Sequence, residues 1–223
     1  SYFPFTDYDF YAYLTSGGFL LATIDLAFNN AALLNKASWT TIQIISAIAA
    51  AYVIGHLVAM LAQGFLEGFV MKKVFAKPME LQLGLKKPRW HERILGVLVG
   101  RYYEPLPAGI RNSILSQAAE RLGCVAEDIN NCEDVFQFGF QKSFESSDAR
   151  KRIDDFRNQY GFCRNIAFVA FLGTIIFAWK SYPCWASFNA YAFAVYIAIF
   201  LGMFVRYAKF LSSFQAEVIK RLS

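Results

Sequence analysis

With 223 residues, of which 56% are hydrophobic and 17% charged, and a mean hydropathy of +0.32, the chain departs from the roughly 45–50% apolar and about 25% charged make-up of soluble domains. That excess, gathered into blocks, excludes an ordinary water-soluble fold and points to a lipid solvent. The formal net charge of +5 comes with no identifiable reader element, so direct nucleic-acid binding is not expected.

A helix crosses the hydrocarbon core with about 20 mostly apolar residues. In chain order, residues 10–28 form a first such stretch, broken only by Asp25, and residues 39–66 form a second with no charge at all. Nothing basic precedes Lys36, so the first stretch reads as a retained helix rather than a secretory signal. The aromatic run Tyr2, Phe3, Phe5, Tyr8, Phe10, Tyr11 and Tyr13 reads as an interfacial anchor, and Ser16-Gly17-Gly18 as a hinge or packing notch. The 28 uncharged residues of the second stretch would extend about 42 Å as an α-helix, more than the roughly 30 Å hydrocarbon thickness. A tilt or a protrusion is expected.

The central segment is broken by Pro78, Pro88, Pro105 and Pro107. Residues 108–122 then read as a helix opened by Pro107 and closed by Gly123. Residues 129–144 and 148–160 also look helical, the last running on through Gly161. Two further spans follow at about 162–179 and 183–205, the first of them requiring Arg164 and Lys180 to reach opposite interfaces. The expected fold is therefore an all-α membrane protein of two transmembrane hairpins. A first region, 1–71, holds one hairpin; a basic helical domain occupies 72–161; and 162–223 holds the second hairpin and a C-terminal helix.

Orientation follows from charge. Of 22 Lys and Arg residues, 16 lie between Lys72 and Arg164 and four more between Arg206 and Arg221, while the two short loops carry only Lys36 and Lys180. The positive-inside rule places the central domain and both termini in the cytoplasm. Lys72, Lys73, Lys86, Lys87 and Arg89 form the densest clusters and are the candidate contacts to lipid headgroups.

Two patterns mark the second span. Ala47, Ala51, Gly55 and Ala59 recur at every fourth residue, a small-residue face that packs against a helix of the same chain or serves as an oligomer interface. His56, Gln63 and Glu67 form a polar stripe, because at about 100° per residue the last two fall within about 20° of His56. The stripe reads as an interhelical hydrogen-bonding face or as the lining of a channel. A relay between His56 and Asp25 is disfavoured by depth, since the two differ by roughly 20 Å along the membrane normal. Lys36, Gln43 or Lys180 is the better-placed partner for Asp25.

No catalytic, cofactor or metal site is expected. His91 and Glu92 lack the second histidine of a zinc-protease helix. Cys124, Cys132, Cys163 and Cys184 contain no C-x-x-C pair; the first two fall on the reducing side of the membrane and Cys184 near the outer face.

The strings Tyr8-Asp9-Phe10-Tyr11-Ala12-Tyr13-Leu14 with Gly17-Gly18, Gly55-His56-Leu57, and Tyr160-Gly161-Phe162-Cys163-Arg164-Asn165 resemble uncharacterised bacterial four-span membrane proteins of anti-phage defence loci, of which the membrane component of Kiwa is an example. The resemblance rests on these patches and on the layout. It implies a small inner-membrane subunit that senses or disrupts the envelope, forms a homo-oligomer and engages a cytoplasmic effector protein, and it supplies no catalytic residue.

Overall fold

A computed structural model describes residues 9–29, 31–75, 77–99, 105–122, 132–143, 147–182 and 188–219, and these are helical wherever they are regular. Tyr2, Phe3, Phe5, Tyr8, Cys124 and Cys184 lie outside the described residues. A π-helical segment, Asp9–Leu14, leads into α1, Thr15–Phe28, and α2 covers Thr41–Ala62. A second π segment, Gln63–Val74, is followed by α3, Pro78–Gln82, α4, Trp90–Val99, α5, Ala108–Leu122, and α6, Cys132–Ser143. Two long helices complete the chain, α7, Ser147–Ser181, and α8, Phe188–Ile219.

Among the described residues, three stretches are long and apolar enough to cross a membrane: Thr41–Met71, Arg150–Ser181 and Phe188–Ile219. Ala12–Phe28 is a shorter apolar helix. The α-helical part of the overlong second stretch has 22 residues, about 33 Å, which alone matches the hydrocarbon thickness. Its start is fixed by a capping box: the Thr40 hydroxyl accepts from Gln43 N at 3.3 Å, and Gln43 Oε1 accepts from Thr40 N at 3.2 Å.

The chain divides into two compact units. Unit 1 comprises residues 1–69 and 161–207. Within it, Ala27, Ala170, Phe177, Ala192 and Tyr196 bring α1, α7 and α8 into one core. Gly173 makes room for the Tyr196 ring, which a β-carbon there would overlap. The ring stacks parallel to Phe19 at 5.6 Å, and its hydroxyl shares a 2.7 Å hydrogen bond with Thr23. Among the three long stretches, the one in α7 is the most enclosed by protein, while those in α2 and α8 leave most of their apolar residues on the surface.

Unit 2 comprises residues 70–160 and 208–223. Met79, Leu83, Ile114, Ala118, Val135 and Ile219 form its main core, drawn from α3, α5, α6 and the end of α8. A neighbouring cluster joins Ile153 of α7 to Phe214 and Val218 of α8. The last helical residues of the chain thus belong to this unit, whereas the sequence groups them with the second hairpin. Their polar side chains explain the assignment. Gln215 Oε1 accepts from Met79 N at 2.9 Å, satisfying an orphan amide in the first turn of α3, and Gln82 Nε2 donates to Ser212 Oγ at 3.0 Å.

Candidate functional site

Polar groups buried within unit 1 gather around α7. Arg164 is 5% exposed and Asn165 is fully buried. The Arg164 guanidinium donates from Nη1 to Glu67 Oε1 at 2.6 Å and from Nε to Asn165 Oδ1 at 3.2 Å. Asn165 in turn donates from Nδ2 to the Ala12 carbonyl at 2.9 Å, which also accepts from Ser16 Oγ at 2.6 Å. One network therefore joins the first π segment, α1, the second π segment and α7. A buried guanidinium is tolerated when its charge is matched and its donors are placed, and both conditions are met here.

Arg164, which the reading of the third span sends to an interface, is enclosed by protein and paired with Glu67. Lys180, at the other end of the uncharged stretch of α7, donates to the carbonyl of Ala27 and lies 5.3 Å above the Phe28 ring. It neutralises the carbonyl end of α1, where a cation is favoured.

Of the polar stripe of the second span, His56 and Gln63 are exposed while Glu67 is half-buried and paired. Gln63 opens the π segment, whose i→i+5 bonding gives a wider turn than the α-helix, so 100° per residue ceases to apply beyond it. Glu67 is drawn to Arg164. His56 is exposed and stacks on Tyr13 at 3.9 Å, with Tyr52 edge-on at 4.7 Å. Gln63 is also exposed.

The small-residue face is occupied within the chain by α1 and the π segment before it. Ala51 and Ala59 are 6% and 7% exposed, and Gly55 is buried. A β-carbon on Gly17 would overlap the Ala51 carbonyl oxygen, and one on Gly55 would overlap that of Tyr13. Ala51, Gly55 and Ala59 are therefore covered without a second copy, and an interface between copies has to use other residues. Ala47 lines an apolar cavity of about 360 Å³ between α1 and α2, together with Leu14, Gly18, Leu34, Trp39 and Ile48.

Asp25 also departs from the expected partners. It is 2% exposed, and its carboxylate accepts from Leu33 N at 3.0 and 3.1 Å and from Leu34 N at 3.0 Å, so it folds the loop after α1 back onto that helix. Lys36 instead donates to Gln43 Oε1 at 2.9 Å.

Among the candidate headgroup residues, Lys73, Lys87 and Arg89 are exposed, and Lys86 pairs with Glu80 at 2.8 Å. The side chain of Lys72 lies outside the described residues. Among the described residues, no three His, Cys, Asp or Glu side chains group as a metal site would require.

Sequence reasoning missed the Arg164–Asn165 pair. Arg164 stands in the sequence as a flanking cation, which membrane helices commonly carry at their ends, so its residue type does not separate a buried pair from a snorkelling side chain. The Thr23–Tyr196 bond carried no signal, because neither residue is unusual in an apolar helix. Compared with family models, with curated proteins and with solved structures, the chain matches none.

Proposed function

We propose that this chain is a non-enzymatic sensor or effector subunit of a bacterial inner membrane, crossing it four times with both termini cytoplasmic, and that unit 2 engages a cytoplasmic partner protein. The anti-phage setting rests on the resemblance alone. The observation that carries the reading is the continuity of α7 and α8. Each is one unbroken helix that contributes an apolar stretch to unit 1 and a polar or amphipathic stretch to unit 2. The fourth crossing is α1 with its π segment: the 17 residues of Ala12–Phe28 lie at the short end of the workable range of about 17–25.

Thiol labelling of single-cysteine variants in intact cells tests the topology. Ser38→Cys is expected to react from outside, and Lys87→Cys only after permeabilisation. Equal reaction of both from outside rejects the four-span orientation. Light scattering and mass spectrometry of the detergent-extracted chain test the rest, with an oligomer bound to a defined soluble protein expected; a monomer without one rejects the sensor reading.

Exposed His56 and Gln63 on an otherwise apolar helix surface favour a second reading, in which copies meet across α2 and enclose an ion or proton path. In proteoliposomes such a path gives a pH-dependent current that His56→Ala abolishes. An unchanged current rejects it.

A further inference from the structure

We infer that α4 is an in-plane anchor that lays unit 2 on an anionic lipid surface. The basic residues preceding it were picked out by charge alone, and the structure adds the apolar half of such an anchor. Trp90 is 74% exposed and Val97 is 85% exposed. At about 100° per residue, Trp90, Arg93 and Val97 fall within about 60° of one another and form one outward face. Arg93 is exposed on that face, and Lys87 and Arg89 are exposed immediately before the helix.

The acidic residue of α4 is kept off this face. Glu92 sits about 200° round the helix from Trp90, is fully buried, and accepts from Arg89 N at 2.6 Å, closing the first turn. Among the described residues of α4 and the three before it, the exposed charges, Lys87, Arg89 and Arg93, are therefore all positive. Helices that lie in a membrane interface have this composition, with tryptophan at headgroup level, an apolar side chain beside it and cations against the phosphates. The apolar component distinguishes lipid from nucleic acid, because an exposed valine about 10 Å further along the same face as the tryptophan has no use against a phosphate backbone but is drawn into the acyl boundary.

The inference rests on the reading of unit 1 as membrane-spanning, and the test separates the two. In the full-length chain, Trp39, Trp179 and Trp185 are replaced by Phe, leaving Trp90 as the sole indole. The protein is placed in nanodiscs of phosphatidylcholine with brominated acyl chains, with or without phosphatidylglycerol. Bromine quenching of Trp90 is expected to be several-fold stronger with phosphatidylglycerol, to weaken as salt screens the headgroups, and to fall to the phosphatidylcholine level in Lys87→Glu/Arg89→Glu. Equal quenching by acrylamide in both lipids, with no bromine effect, overturns the anchor. Protection from acrylamide without bromine quenching also overturns it, since a protein surface then covers Trp90. A chain that carbonate extracts from native membranes overturns the spanning reading itself, and the anchor with it.

Discussion

Replacing Gly55 by alanine is expected to lower stability by about 1–3 kcal/mol, the usual cost of forcing a methyl group into a filled space. What the new β-carbon meets is backbone, the Tyr13 carbonyl oxygen, carbon and Cα, and no rotamer change can move these aside. Gly17→Ala should behave alike, because its β-carbon would meet the Ala51 carbonyl and Gly55 N. Gly18 supplies the control. It is the next residue on the same helix, nothing lies within 4 Å of its β-position, and Gly18→Ala should stabilise by roughly 0.5–1 kcal/mol through helix propensity. Thermal unfolding in a mild detergent distinguishes these outcomes. Three equal effects would show that α1 and α2 do not meet through this face. The double variant Gly17→Ala/Gly55→Ala should cost less than the two single costs added, since both press on one contact and a single separation of the helices relieves both.

Removing Glu67 should be the more damaging way to break the buried ion pair. Glu67→Ala takes from the Arg164 guanidinium, whose side chain is 6% exposed, the carboxylate it meets at 2.6 Å, and a loss of about 3–5 kcal/mol is expected. Arg164→Leu removes the more deeply buried charge. The Glu67 side chain it leaves behind is 28% exposed and retains access to solvent, but the buried Asn165 Oδ1 loses its donor, so the loss should be about 1–3 kcal/mol. Glu67→Leu/Arg164→Leu should recover the part of the loss that comes from an unmatched charge, because two apolar side chains carry no desolvation cost, and should leave only the cost of the unpaired Asn165 Oδ1. Denaturant titration in micelles measures all three, and an Arg164→Leu loss larger than that of Glu67→Ala would contradict the geometry. Function should not follow stability if the pair fixes the registry of α7 against the second π segment: the double variant would then be stable and inactive.

The elements that were readable in the sequence are those set by local chemistry. Pro107 opens α5 at Ala108 as its fixed φ requires, and α7 passes through Gly161 without a break. Of the four apolar stretches read as spans, three are helices long and apolar enough to cross a membrane among the described residues, and the first is a shorter apolar helix. What the sequence does not display is the choice of partner. A small residue at every fourth position announces that some backbone comes close, and the same pattern would serve a neighbouring chain or, as here, α1. Asp25 looked like half of an ion pair, yet it is satisfied by the amides of Leu33 and Leu34, and backbone amides have no residue type to betray them. The π segments were hidden for a related reason. Nothing in residues 63–74 contradicts an α-helix, and the stripe of His56, Gln63 and Glu67 was drawn with a pitch that fails at its second member.

That second π segment gives the chain a place where its length can vary. Deleting a residue from α2 would swing everything after it by about 100° and carry Gly55 off the Tyr13 carbonyl. A π turn already holds a residue more than an α turn, so a deletion between Gly68 and Val74 can be absorbed by one turn tightening to α, with residues 41–62 undisturbed. Related chains would then differ by single-residue gaps there, while residues 41–62 keep a constant length.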